Sequence, residues 1–229
     1  MSAIRTVTFD AGGTLLYPHP SVGEIYAQVM RRHGLDHAPA DLEAGFRKVW
    51  RTVQRSGKEG VVSENSELEW WRRVVCAILD ELGHPENFDA LFDELWTSFG
   101  DAGHWRLHDG GCEILQILSE SGFRLGILSN WDSRLRTVLD GIGLTAFFDH
   151  IVISAEVGFE KPSTEIFRHT EEVFGVAPEA IVHIGDSLHH DVQGAAAAGW
   201  RPVYVDHSGE PHDGVESIGS LMELCELLS

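Results

Sequence analysis

The stretch IRTVTFDAGGTL, Ile4 to Leu15, decides the fold. Ile4–Phe9 alternates and is rich in β-branched residues, which predicts a strand. Asp10 then opens a glycine-containing turn. From Ser21 to Phe99 no strand is legible. Apolar residues recur there at helical spacing: Val22, Ile25, Tyr26, Val29 and Met30, then Leu42, Phe46, Val49, Trp50 and Val53, then Leu68, Trp71, Val74, Val75, Ile78 and Leu79. Beyond this block, helices and strands alternate. Helix Gly111–Ser121 leads to strand Phe123–Ser129, helix Ser133–Ile142 to strand Ile151–Ser154, and helix Thr164–Phe174 to strand Ile181–Asp186. Helix Val192–Ala198 then leads to strand Pro202–Val205, and a last helix spans Ile218–Leu228. Such alternation predicts a parallel sheet covered on both faces, and the first strand must belong to it because alone it has no partner. The expected fold class is α/β, a doubly wound (Rossmann-like) parallel sheet core with an inserted helical domain. The core takes residues 1–16 and 100–229, and the insertion takes 17–99.

The chain has 229 residues, with 36 acidic against 17 basic side chains and a net charge of -19. That field opposes nucleic-acid backbones and anionic membranes, so neither is expected as a partner. An anionic ligand needs local positive charge, and there are only three lysines: Lys48, Lys58 and Lys161. Three cysteines, Cys76, Cys112 and Cys225, form no CxxC and are odd in number. A reducing, cytoplasmic setting follows, with the thiols expected in apolar packing. No signal-type apolar segment opens the chain and no stretch is long enough to span a bilayer. Monomer and homodimer both remain open.

Ligands of an open parallel sheet bind beyond the carboxyl ends of its strands. Polar residues stand at those ends: Asp10, Ser129 with Asn130, and Asp186. Lys161 lies in the loop after the strand ending at Ser154. Adjacent carboxylates repel and favour a divalent cation, while a lysine beside them holds an anionic group. Each residue has a blander reading. Asp10 could simply open a turn, Ser129 and Asn130 could cap a helix, and Asp186 and Asp191 could offset a helix dipole. The pair His189–His190 reads as exposed first-turn residues, because neighbours on a helix point apart. Trp50, Trp70, Trp71 and Trp96 read as core of the helical domain, and Trp131 as a residue at the rim of the cleft.

The segments FDAGGTL, ILSN, EKPSTEIF and IGDSLHHDVQGAAAAG, in that order, resemble the four motifs of the haloacid dehalogenase superfamily. The helical insertion after the first motif resembles that family's type 1 cap. The nearest likeness is to the dehalogenase-like hydrolases in which FDAxGTL is followed by VGEIY. The resemblance implies a hydrolase in which Asp10 is the nucleophile and Mg²⁺ is held by Asp10, the Gly12 carbonyl and Asp186. Asp191 stands with them as a carboxylate near the metal or Lys161. Ser129 and Lys161 would act on the transferring group. Gly12, Gly13, Thr14, Asn130 and Trp131 would line the ligand site, Thr14 also fixing the first loop. The implied substrate is a small phosphorylated molecule.

One position departs from the family's phosphatases. They carry a second aspartate two residues after the nucleophile, which protonates the leaving oxygen and later activates water; here that residue is Gly12. A missing acid/base costs roughly two to four powers of ten in rate. Cap residues His19, Glu24, His33 and His37 are candidate replacements, and a gain in Gly12→Asp on alkyl phosphates would show what the parent protein lacks. Three other readings stay open: a non-catalytic sensor of a phosphorylated ligand, a haloacid dehalogenase, and a phosphonatase using Lys48 or Lys58 as a Schiff base.

Overall fold

The structure, a computed structural model, describes residues 4–53, 62–207 and 214–228. In chain order the elements are β1 (Thr6–Phe9), β2 (Leu16–Pro18), α1 (Val22–Arg32), α2 (Pro39–Thr52), α3 (Glu64–Leu82), α4 (Phe88–Gly100), β3 (Trp105–Leu107), α5 (Gly111–Glu120), β4 (Arg124–Ser129), α6 (Arg134–Gly141), β5 (His150–Ile153), α7 (Ser154–Val157), α8 (Thr164–Phe174), β6 (Ile181–Gly185), α9 (Gly194–Ala197), β7 (Arg201–Val205), β8 (Ser217–Ile218) and α10 (Leu224–Leu227).

Six strands form one sheet in the order β5-β4-β1-β6-β7-β8, and every pairing is parallel. The predicted α/β sheet core is therefore observed. From β1 the chain builds outward through β4 and β5, then returns to the other side of β1 with β6. The order reverses between β1 and β6, the switch point where a crevice opens beyond the strand ends. Phe9 is in register with Ile184 there, so Asp10 and Asp186 emerge side by side. One face of the sheet packs Val7, Phe9, Ile127, Val182 and Ile184 against α5 and α6. The opposite face packs Leu128, Val152 and Ile181 against α8, with Phe167 and Trp200. Alternate residues of the same strands thus serve both layers.

Helices α1 to α4 build their own core around Tyr26, Met30, Leu42, Trp70, Val74, Ile78 and Phe92. They leave the sheet through β2 and return through β3, which pair antiparallel. Ser21 caps α1, Asn87 caps α4, and Ser63 with Ser66 forms a reciprocal cap on α3. Two further ties join this block to the sheet core. The backbone N–H of Ser133 donates to Glu64 Oε1 at 2.9 Å. Arg134, paired with buried Asp132, donates to the Trp96 carbonyl at 2.6 Å and lies over the Trp96 ring.

Several expectations need correction. Strands β2, β3 and β8 are not legible in sequence: they hold three, three and two residues, too few for alternation to register, and β2 ends on Pro18. The expected helix Ile218–Leu228 is shorter. Ile218 pairs in β8, and the Ser220–Glu223 capping box starts the helical turns only afterwards. The expected helix Val192–Ala198 is instead a π-helical turn, Leu188–Gln193, followed by α9. Cys76 and Cys225 are half-buried, but Cys112 is exposed, because α5 turns Ile114, Leu115 and Leu118 inward and Cys112 away. Among the described residues no helix is long and apolar enough to cross a membrane.

The hinge side of β2 and β3 is held by an imidazole stack. His108 and His207 lie with ring centroids 3.6 Å apart and planes within 7°. The backbone N–H of His108 donates to the Leu15 carbonyl, and His207 Nε2 donates to the Thr14 carbonyl. Burial, and after it the neighbouring His207, pushes His108 down from its usual 6.5 to about 4, with Asp109 opposing. The unfolded chain takes up this proton near pH 6.5 and the folded chain resists it, so the stack's contribution is complete above 6.5 and lost as pH falls toward 4. Replacing His108→Phe is expected to flatten the fall in melting temperature across that window. An acid limb identical to that of the parent protein would contradict this.

Candidate active site

Four segments converge on the crevice. Asp10 follows β1, Ser129 ends β4, Lys161 lies in the loop after α7, and Asp186 follows β6, with Asp191 in the turn beyond it. All five line one cavity of about 510 Å³ between the sheet and the helical block.

Lys161 is 2% exposed and stands at the centre of this group. Its Nζ donates to Asp10 Oδ1 at 2.8 Å and to Asp191 Oδ1 at 2.5 Å. Burial works against the ammonium, but the two carboxylates outweigh it and raise the lysine above its ordinary range. Burial likewise opposes the charge on Asp191, yet Lys161 and His183 hold that carboxyl well below the usual range. Asp191 is fully engaged. Its Oδ1 also accepts from His183 Nε2 at 3.1 Å, and its Oδ2 accepts from the Ser187 N–H at 2.9 Å. Gly185 makes room for it, because a Cβ there would lie 2.2 Å from the Asp191 carboxyl carbon.

Asp186 is less settled. Thr14 Oγ1 donates to its Oδ1 at 3.1 Å. Its recessed setting, then the charges of Asp10 and Asp191, push its carboxyl up to about 7. Gly13 lies directly beneath, with φ at +88° and a notional Cβ 2.3 Å from Asp186 Oδ2, so only glycine suits that position. Oxygens of Asp10, Asp186 and Asp191 come within 4.8 Å of one another. Three carboxylates thus face one ammonium. Hard oxygen donors in negative excess suit Mg²⁺, with Asp10 and Asp186 better placed than Asp191 to offer oxygens.

The other expected site residues divide. Ser129, Gly12, Gly13, Asn130 and Trp131 line the cavity. Asn130 spends its amide on the lysine loop: Nδ2 donates to the Lys161 carbonyl at 2.8 Å, and Oδ1 accepts the Lys161 N–H at 2.7 Å. It braces the Lys161 loop from the cavity wall. Thr14 is fully buried and acts through Asp186 instead of facing the cavity. The proposed replacement acids do not reach the site. His19 and Glu24 are exposed, Glu24 bonding Ser21, and His33 bonds Glu94 at 2.8 Å. None of these, nor His37, lines the cavity. Lys48 is exposed and paired with Glu81 away from the cleft, and Lys58 lies outside the described residues.

His190 corrects the reading of an exposed histidine pair. Its ring lines the cavity, with Nδ1 3.1 Å from Ser187 Oγ, whereas His189 is exposed. The tryptophans also differ from expectation. Trp70 is core, but Trp71 and Trp96 are half-buried and Trp50 is 48% exposed, and these three form cavity wall.

His183 was missed in sequence. Burial lowers its pKa, and Lys161 adds to this against the pull of Asp191. As a neutral ring it donates from Nε2 to Asp191, and its Nδ1 accepts from Thr8 Oγ1 at 3.0 Å. A histidine at the centre of an otherwise apolar buried strand was the available signal.

Residues 4–199 match the family model of haloacid dehalogenase-like hydrolases. The chain belongs to that family. The human haloacid dehalogenase-like hydrolase domain-containing protein 3 is 32% identical over 205 residues, covering 88% of this chain and 82% of that protein. YfnB of Bacillus subtilis, solved bound to magnesium, superposes with a TM-score of 0.77 at 24% identity, covering 99% of both chains. The L-2-haloacid dehalogenase of Xanthobacter autotrophicus superposes at 0.74 with 19% identity, covering 98% of each. The chain is a hydrolase of this family, whose folds serve phosphatases and dehalogenases alike.

The space beside Gly12 is taken. A Cβ there would come within 3.2 Å of Trp131 Cζ3, and Trp131 packs on Trp105 with ring centroids 4.9 Å apart. An aspartate there requires the Trp131 ring to give by a few tenths of an ångström. Gly12→Asp alone is expected to cost about 1–3 kcal/mol, as overpacking does, and Trp131→Ala in the same chain to recover part of it. Urea unfolding checks both, and additive losses would contradict the contact.

Proposed function

We propose that this hydrolase cleaves a small phosphate monoester through an aspartyl-phosphate on Asp10. The observation that carries the reading is Lys161, buried and bonded to Asp10 Oδ1 in a cleft with two further carboxylates. Asp10, Asp186 and the Gly12 carbonyl would hold Mg²⁺, which would supply the charge that lets a phosphoryl group approach three acidic side chains. Lys161 serves the same end from the opposite side, while Ser129 Oγ offers a hydrogen bond to a phosphoryl oxygen.

In the first step an Asp10 oxygen bonds to phosphorus and the bond to the leaving oxygen breaks. The electron pair departs with that oxygen. Gly12 offers no proton, so the group leaves as an anion. In the second step water attacks phosphorus and the bond to Asp10 breaks, releasing inorganic phosphate and restoring the carboxylate. Gly12 offers no base either, which slows this step by roughly 10²–10⁴. His183 and Asp191 take no part in bond changes; they hold Lys161 in place.

Halide displacement by Asp10 is the second reading, favoured by the apolar roof that Trp131 places over Gly12. Chloride release from 2-chloropropionate without Mg²⁺ would select it. The phosphatase reading predicts Mg²⁺-dependent hydrolysis of para-nitrophenyl phosphate with a burst of nitrophenolate near one equivalent per enzyme, because a good leaving group makes the second step limiting. Asp10→Asn is expected to abolish both burst and turnover. Nitrophenolate release that survives Asp10→Asn would overturn the assignment of the nucleophile.

A further inference from the structure

Two independent features of the cleft bear on what leaves Asp10. The first is Gly12, which carries no acid and whose notional Cβ would lie 3.2 Å from the Trp131 ring. Position 12 itself can then give no proton to a leaving oxygen. A phenolic oxygen ionises near ~10 where an alkyl alcohol, like water, needs about 16, so phenolic esters lose little where alkyl esters lose much. The second is the wall opposite the carboxylates. Phe46, Trp50 and Trp71 form a continuous aromatic face, with Phe46 stacked on Trp50 at 5.6 Å and on Trp71 at 6.5 Å between centroids. Trp131 and Trp105 form a second face toward the sheet. Cap cores bury such rings; here Trp50 is 48% exposed and all five line the 510 Å³ space. That volume lies in the range of ligand pockets, which run roughly 300–1,000 Å³.

The charges of the wall narrow the choice. Arg134 is already paired with Asp132, through two bonds at 2.7 and 2.8 Å. A substrate whose alcohol part carries a further negative charge finds Arg134 already taken by Asp132.

We infer that the substrate is an aryl phosphate: a phosphate monoester of an uncharged phenol-type alcohol whose ring lies between the Trp131–Trp105 face and the Phe46–Trp71 face. This rests on the phosphate-ester reading above. The reaction consumes one water, releases phosphate, and lets the ring oxygen leave as phenolate, which takes its proton from solvent.

The test uses the full chain with Mg²⁺ and compares 1-naphthyl phosphate with acetyl phosphate, a small ester whose leaving group also needs no acid. The expected KM for the naphthyl ester is at least about tenfold lower, and Trp71→Leu or, should that variant unfold, Phe46→Leu shrinks this advantage by about three- to tenfold, the worth of a ring pair. Acetyl phosphate turnover that requires Asp10, with no lower KM for the naphthyl ester, overturns the inference and leaves the phosphatase reading standing. If neither ester is cleaved, the phosphatase reading falls and the aryl phosphate with it. The aromatic wall is then judged separately by quenching of tryptophan fluorescence with 1-naphthol. Quenching weakened in Trp71→Leu supports an aromatic ligand, and no quenching in the parent protein removes that as well.

Discussion

The ammonium of Lys161 between Asp10 and Asp191 is the interaction on which the rest of the site depends. A lysine 2% exposed is costly unless paired, and its two partners carry the compensation. The remainder of the site can be understood as the means of keeping those three charges together. His183 and the Ser187 N–H saturate Asp191, Thr8 orients His183, and Asn130 clips the backbone on both sides of Lys161. These groups come from β1, β4, β6 and the loop after α7, so the ion cluster also ties the sheet's carboxyl edge together. Removing one partner would strand a buried charge, a cost of roughly 3–5 kcal/mol.

Negative charge is nevertheless left over. With one ammonium bonded to two other carboxylates, Asp186 has the Thr14 hydroxyl and the more distant charge of Lys161 for compensation, and burial with the charges of Asp10 and Asp191 still pushes its carboxyl up to about 7. Gly13 and Gly185 contribute by absence: each lets a carboxylate approach the backbone where any side chain would collide. A cleft built this way suits the cation and phosphoryl group that the proposed function calls for. The same cleft changes character toward the helical block, where rings replace charges. The polar end and the aromatic end meet at Gly12 and Trp131.

Much of this was legible in the sequence. The parallel sheet followed from alternating strands and helices after Phe99, and the placement of Asp10, Ser129, Lys161 and Asp186 followed from their standing at strand ends. What was not legible depended on contacts between distant segments. That Asn130 holds the Lys161 loop, that Thr14 serves Asp186, and that Trp131 occupies the space beside Gly12 are facts of packing, invisible to local pattern. Helical spacing showed that Trp50, Trp71 and Trp96 face inward within the helical block. It could not show that inward meant toward a cavity. His183 differs, because a polar residue in the middle of a buried strand is visible in IVHIGD; only its partner, eight residues later on a π-helical turn, was not.

The central claim is that Asp10, held by Lys161, is the atom donor that takes the phosphoryl group. The most direct measurement is acid quenching of the Mg²⁺-loaded protein during turnover of an aryl phosphate, followed by peptide mass mapping. The account predicts one phosphoryl group on the peptide carrying Asp10, labile to hydroxylamine. A phosphoryl group on another residue, or turnover with none trapped on Asp10 under conditions that preserve acyl phosphates, would contradict it.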